Sequence, residues 1–270
     1  MRLTPYERNV QREIEKWHHQ DASLISQALS WAAKPLDWVT DRVSPDLVDQ
    51  ASKAIADSLS VLSDASEWTY DYEDLLRTAR QQGLFVNSIE ELRDQPMEAL
   101  DTLARSHFSQ NAIMAAVEGG GTGLGGAVFI VADIPLLFTI NLRLIQQIGA
   151  SYGYSMRGPS FRPLVLAIFN ASSSGSKEAR NDALREISVA AAAFANNLEY
   201  KGRVTGTLRD QNRHLPREIA KNILGRKLMQ AIPIAGAAVG AGVNYWFTTQ
   251  TAEVAYMLFR ALYLEYKERL

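Results

Sequence analysis

Residues 118–135, EGGGTGLGGAVFIVADIP, decide what kind of fold the chain adopts. They contain a G-x-G-x-x-G motif at Gly121, Gly123 and Gly126, followed by an apolar run. In a dinucleotide-binding fold this motif follows a buried strand, opens a helix and precedes an acidic residue by about twenty positions. Here the preceding NAIMAAVE is typical of a helix, residues 143–147 hold no carboxylate, and no Lys-Ser or Lys-Thr follows the glycines as a P-loop requires. The context therefore disfavours a nucleotide site.

The same segment is nearly long enough to span a membrane, but it carries a charge at its middle. Residues 124–142 are 19 mostly apolar residues, close to the roughly 20 that cross a bilayer. Asp133 lies halfway along with Pro135 beside it, and an ionised carboxylate at that depth costs about 2.5–3.5 kcal/mol. We therefore predict a buried core helix in which Asp133 is bonded to a partner such as Asn141, Arg143 or another element of the chain.

A second glycine-rich apolar stretch, AIPIAGAAVGAGVNYWF, occupies residues 231–247. An offset of 111 residues matches Gly125 with Gly236, Asp133 with Asn244 and Tyr152 with Tyr263. The offset fits either an old duplication or chance. We predict that the two elements pack as a central pair, because small residues let helix backbones approach closely, and in lipid such residues also drive helix association. The predicted packing positions are Gly119, Gly120, Gly121, Gly123, Gly125, Gly126, Gly236, Gly240 and Gly242, and the predicted buried polar positions are Asp133, Asn141, Arg143 and Asn244.

The rest of the chain has helical periodicity and no convincing strand alternation, which predicts an all-α protein. Thr4 and Glu7 form a capping box around Pro5, and Gly83 and Gly153 stand where helices end. Helices are predicted over 22–34, from Ser44-Pro45, over 74–82, 97–117 and 135–152, and toward the C-terminus, and residues 170–182 are predicted to form a loop.

A basic segment precedes the second glycine-rich stretch. Residues 201–227 hold 8 basic against 2 acidic residues, whereas residues 37–101 hold 15 acidic against 5 basic. Cations beside an apolar segment suit an anionic membrane surface or a membrane-protein partner such as a transporter. The alternatives are a solvated helix face and pairing with the acidic first third, and nucleic acid is disfavoured by the slightly acidic net charge. The predicted docking residues are Arg209, Arg213, Arg217, Lys221, Arg226 and Lys227.

Two runs, GGGTGLGGAVFIVADIPLLFTINLRLIQQIGASYGY and IPIAGAAVGAGVNYWFTTQTAEVAYMLF, resemble the EcsC family of bacterial proteins. The matching features are the glycine clusters, the Asp133-Ile134-Pro135 step, Arg143, Tyr152-Gly153-Tyr154 and Asn244. The resemblance implies a single helical domain over residues 1–270, with peripheral helices in 1–95 and the core in 96–270. It implies a cytoplasmic, membrane-peripheral protein of no settled activity, and it transfers no catalytic residue and no cofactor.

The composition of the chain further limits the kinds of functional site that it can form. The chain has no cysteine and four histidines without metal-ligand spacing, so we expect neither a metal site nor a disulfide. The N-terminus lacks the apolar core of a secretory signal, which favours a cytoplasmic location. No catalytic signature is present, and the predicted function is non-enzymatic binding of lipid or a membrane-protein partner. The alternatives are a hydrolase or small-molecule-binding enzyme with a polar pocket between the glycine-rich elements, and a soluble interaction module.

Overall fold

A computed structural model of the protein describes residues 3–19, 44–60, 70–123, 127–156, 161–174, 181–183, 204–227 and 236–269. Within these ranges the chain is helical and forms no strand, which confirms the predicted all-α class. The α-helices are α1 (Pro5–His19), α2 (Pro45–Ser60), α3 (Tyr72–Gln81), α4 (Met97–Ser106), α5 (Phe108–Gly123), α6 (Ala127–Ser151), α7 (Phe161–Ser173), α8 (Val204–Lys227) and α9 (Gly236–Arg269), and a 3-10 helix spans Glu90–Asp94. The helix predicted over 22–34 lies outside the described residues.

The predicted caps form by local hydrogen bonds. The backbone N–H of Thr4 donates to Glu7 Oε2 at 2.7 Å, and the N–H of Glu7 donates to Thr4 Oγ1 at 3.2 Å, which confirms the capping box. Gly83 and Gly153 have φ angles of 87° and 81°, in the left-handed region that helix ends favour for glycine. At Gly153 a side chain would also collide with the backbone N of Arg93, 2.6 Å from the ideal Cβ position.

Three predicted boundaries are wrong. Pro135 lies inside α6, which begins at Ala127, although proline removes a backbone hydrogen bond and usually ends a helix. Burial of Ile134 and Leu137 on either side offsets that loss. The segment predicted as one helix over 97–117 breaks at His107, between α4 and α5. The loop predicted from residue 170 begins later, because α7 runs to Ser173.

Helices α5, α6 and α9 form the centre of the bundle, and their directions follow from their contacts. Asp133 of α6 meets Asn244 of α9, and nineteen residues later Tyr152 lies beside Tyr263, so α6 and α9 run parallel. Phe108 at the start of α5 packs on Tyr256, whereas Gly119 near its end packs on Gly240 and Asn244, so α5 is antiparallel to α9. Helix α8 packs against α2 and α7, and α1 and α4 flank the other end.

Candidate functional site at the glycine-rich end

Both glycine-rich stretches lie at the same end of the bundle, which we call the glycine end. Helix α5 ends at Gly123 and α6 begins at Ala127; α8 ends at Lys227 and α9 begins at Gly236. Asp133, in the second turn of α6, is bonded to both Lys227 and Asn244. These bonds join α6, α8 and α9, although the three residues come from segments far apart in the sequence.

A buried ion pair lies directly beneath this end. The Nζ atom of Lys227 donates to Asp133 Oδ2, and both side chains have no solvent exposure. The Nδ2 atom of Asn244 stands 3.4 Å and 3.3 Å from the two carboxylate oxygens of Asp133. Burial lowers the pKa of Lys227 to about 7 and raises the pKa of Glu118, the nearby acid on α5, to about 7. Asp133 is therefore bonded inside the protein, and in this arrangement neither charge is accessible to a substrate.

Close helix contact occurs at Gly119. A Cβ atom there would lie 2.4 Å from Asn244 Nδ2 and 2.5 Å from the carbonyl oxygen of Gly240. Gly121 has nothing within 4 Å of the corresponding position, so it does not pack in this way. Gly240 is buried, whereas Gly120 and Gly242 are half-buried. The remaining predicted packing glycines, Gly123, Gly125, Gly126 and Gly236, lie where side-chain positions are outside the described part of the chain.

The partners predicted for Asp133 are different from those observed. Asn141 donates instead to the carbonyl oxygen of Leu137 at 2.8 Å and to Thr248 Oγ1 at 3.1 Å. Arg143 is half-buried and forms no ion pair with Asp133 or with another carboxylate within the described residues. Lys227 is the true partner, 94 residues away in sequence. The sequence shows that Lys227 belongs to a basic segment, but the spacing of the basic residues does not indicate that Lys227 is buried beside Asp133.

The prediction of an exposed basic face is wrong for its last two residues, Arg226 and Lys227. Arg226 and Lys227 are buried, because Lys227 pairs with Asp133 and Arg226 donates to the carbonyl oxygens of Ser173 and Asn222. The Arg226 guanidinium also lies 4.1 Å from the centre of the Trp246 ring, a favourable cation–π geometry.

Other members of the predicted docking set are placed differently. Arg217 is exposed and lies 3.6 Å from Asp49, and Lys221 is exposed and lies 3.0 Å from Glu218. Such exposed pairs contribute little to stability. The side chains of Arg209 and Arg213 are outside the described part of α8. A docking role for these four residues stays a prediction.

A second buried network, which the sequence did not reveal, holds the opposite end together. Asp101 accepts hydrogen bonds from Tyr152 at 2.6 Å and from Tyr6 at 2.7 Å, and Arg260 Nη2 lies 3.0 Å from the same carboxylate. Arg260 also pairs with Glu13 at 2.9 Å. We call this the tyrosine end. It joins α1, α4, α6 and α9 through partners 51 and 95 residues apart, which no short motif encodes.

Apolar side chains are exposed near the glycine end. In the sequence, residues 119–132 and 228–243 contain no charged residue, and their described parts, 119–123, 127–132 and 236–243, belong to α5, α6 and α9. Among the described residues here, Val117 is 72% exposed, Leu136 50% and Tyr245 38%.

No helix in the described ranges is long and apolar enough to cross a membrane. Within the same ranges, no three His, Asp or Glu side chains stand together as metal ligands.

These features define a class of protein: a helical bundle with two glycine-rich elements that converge on a buried Asp–Lys pair. The model of the EcsC protein family matches residues 8–264, and the chain belongs to that family. It is 23% identical over 257 residues to the uncharacterized protein YdbA of Bacillus subtilis (strain 168), covering 92% of this chain and 89% of that protein.

A further relative is named after the family. The chain is 30% identical over 157 residues to protein EcsC of Bacillus subtilis (strain 168), covering 58% of this chain and 61% of that protein. No solved structure matches the chain. The resemblance stated from the sequence is therefore confirmed, and the relatives' printed names assign no reaction.

Proposed function

We propose that the protein is a non-enzymatic, membrane-peripheral protein that binds the surface of a lipid bilayer through its glycine end. The observation that supports this proposal is that two uncharged runs of the sequence, 119–132 and 228–243, have described parts in close contact, because Gly119 of α5 packs on Gly240 of α9. The ionisable groups nearest to them, Asp133 and Lys227, face each other in the interior. An apolar end without surface charge can enter the boundary between lipid headgroups and acyl chains at little desolvation cost.

The exposed side chains support shallow insertion. Val117 and Leu136 are aliphatic, and Tyr245 has an apolar ring with a polar hydroxyl, which suits the headgroup level of a bilayer. Insertion of a few apolar side chains to a depth of about 5–10 Å gives reversible binding rather than a span. In this account the protein works at the cytoplasmic face of the cell membrane.

The experiment is vesicle flotation with a matched pair of variants. Replacing Val117 and Leu136 together by serine removes exposed apolar area from the glycine end. The control, Phe85→Ser, removes an exposed apolar side chain that lies outside the glycine end. Phe85 is 87% exposed and precedes the 3-10 helix, which packs near Gly153 at the far end of α6. We expect wild type and Phe85→Ser to float with phosphatidylcholine vesicles and the Val117/Leu136 variant to stay at the bottom.

The outcomes separate lipid from protein partners. If wild type stays at the bottom with every protein-free vesicle at low salt, binding to lipid is wrong. If it then floats with vesicles prepared from whole bacterial membranes, the partner is a membrane protein, and the same variant pair tests whether the glycine end contacts it. Equal flotation of both variants with lipid would place the contact surface elsewhere.

A further inference from the structure

Arg143 differs from the other buried and half-buried arginines of the described chain. Arg260 pairs with Asp101 and Glu13, Arg226 donates to backbone carbonyls, and Arg93 donates to the carbonyl oxygen of Gly153 at 2.7 Å. Arg143 is half-buried, yet within the described residues it makes no hydrogen bond or ion pair. Its Nε is a buried donor without an acceptor, as in those three arginines, but they have other bonds from the guanidinium and Arg143 has none there. A guanidinium in this situation keeps donors that suit an external oxyanion.

Neither acid of α5 and α6 pairs with Arg143. In α5 and α6 the charged residues are Glu118, Asp133 and Arg143, and the two acids lie near Lys227. The neighbour of Arg143 on the α5 side is His107, which is buried. The positive charge of Arg143 adds to burial in lowering the pKa of His107 to about 4, so this neighbour is neutral at pH 7. His107 therefore adds no second positive charge beside Arg143 and offers it no negative partner.

The position of Arg143 along α6 also fixes its distance from Leu136 at the glycine end. The hydrogen bond from Asn111 to Gln147, 3.0 Å long, shows which side of α6 faces α5. Arg143 and Leu136 lie four and eleven residues before Gln147, so helical periodicity places both on that side. Seven residues of helix separate them by about 10 Å along the axis. With the bundle tilted so that Leu136 lies at the boundary between headgroups and acyl chains, the long side chain of Arg143 reaches the level of the lipid phosphates.

We propose that Arg143 binds the phosphate group of an anionic phospholipid when the glycine end is seated in the bilayer surface. This inference rests on the proposed membrane binding and names the lipid class that it favours. In phosphatidylglycerol the phosphate carries an uncompensated charge, whereas in phosphatidylcholine a quaternary ammonium offsets it. The planar guanidinium can donate two parallel hydrogen bonds to such a phosphate.

The test compares vesicles of phosphatidylcholine alone with an equal mixture of phosphatidylcholine and phosphatidylglycerol. Wild type should bind the mixture more tightly than phosphatidylcholine alone, and Arg143→Gln should lose about fivefold in affinity for the mixture and with it the preference for the mixture. Arg143→Lys, which keeps the charge but not the paired donors, should fall between them. Arg77→Gln is the matched control, because Arg77 is an exposed arginine on α3 paired with Asp74.

A second measurement covers the case in which Arg143→Gln fails to fold. In wild type, soluble short-chain phosphatidylglycerol should shift the ring resonances of His107, because an anion on Arg143 offsets the charge that lowers the pKa of His107. The proposal is overturned if folded Arg143→Gln keeps the full preference for the mixture, or if His107 does not respond. If no vesicle binds wild type, the proposed function itself is wrong. If wild type binds but Arg143→Gln matches it, only the present inference is wrong.

Discussion

The glycine end and the tyrosine end both bury a carboxylate against a cation, but they do so with different numbers of partners. At the tyrosine end Asp101 is bonded to Tyr6, Tyr152 and Arg260, and Arg260 has a second carboxylate in Glu13. At the glycine end Asp133 has Lys227 and the amide of Asn244. Loss of one bond at the tyrosine end leaves others, whereas the glycine end depends on a single ion pair.

The difference follows from the residues that each end contains. Long tyrosine and arginine side chains fill the tyrosine end and reach across four helices. At the glycine end α5 and α9 approach so closely at Gly119 that a methyl group would collide with Asn244 and Gly240. The two glycine-rich runs, 119–132 and 228–243, also contain no charged residue, which is the property that the proposed membrane contact requires.

The largest effect should come from Asp133→Ala. This change leaves the ammonium of Lys227 buried without its carboxylate, and we expect a loss of about 3–5 kcal/mol in the free energy of unfolding, measured by urea denaturation. A double change to Asp133→Leu and Lys227→Met should recover most of the loss, because it removes both charges. The exposed carboxylate Asp49 is the control, and Asp49→Ala should cost less than about 1 kcal/mol. Wild-type stability of Asp133→Ala would mean that the ion pair does not hold the glycine end together.

The second effect concerns acid pH and His107, which lies between α4 and α5. Burial and the charge of Arg143 lower its pKa to about 4, below the usual 6.5. The folded state therefore binds fewer protons than the unfolded state between these pH values, so stability is full above pH 6.5 and is lost as pH falls to 4. We expect this group to contribute about 2–3 kcal/mol of that loss. Urea denaturation of wild type and His107→Gln at pH 7 and pH 4.5 should show a smaller acid loss in the variant. Identical pH profiles would contradict the assignment.

At the tyrosine end, a single bond should be less critical. Tyr152→Phe removes the hydroxyl that donates to Asp101 at 2.6 Å, while Tyr6 and Arg260 keep the carboxylate bonded. We expect thermal and urea unfolding to report a loss of about 1.5–3 kcal/mol, the range for a hydrogen bond to a charged group. Tyr245→Phe, at a partly exposed site, should change stability by less than about 0.5 kcal/mol. A loss as large as that of Asp133→Ala would remove the distinction between the two ends.

The smallest expected change in stability distinguishes Gly119 from Gly121, which lie two residues apart in α5. Gly119→Ala gains helix propensity but forces a methyl group against Gly240 and Asn244, and we expect a net loss of about 1–3 kcal/mol. Gly121→Ala meets no neighbour and should gain about 0.5–1 kcal/mol. Calorimetric melting of the two variants should therefore move in opposite directions, and a shift of the same sign in both would contradict the close contact at Gly119.

Local features of the fold were predictable, but long-range partners were not. The Thr4–Glu7 capping box and the glycine caps depend on residues within one or two turns, so their patterns are visible in the sequence. The offset of 111 residues also matched Asp133 with Asn244, which are in contact. By contrast, Lys227 was assigned to an exposed basic face because charge patterning cannot show which cation a distant carboxylate will bury. Asp101 was missed for the same reason.

The most direct test of the central claim measures which end of the bundle touches the lipid. The chain has no cysteine, so Leu136→Cys and Phe85→Cys each provide a single attachment site for an environment-sensitive fluorophore. With vesicles containing brominated acyl chains, we predict strong quenching of the label at position 136 and none at position 85. Quenching at position 85 but not at 136, or at neither position while the protein is bound, would contradict insertion of the glycine end.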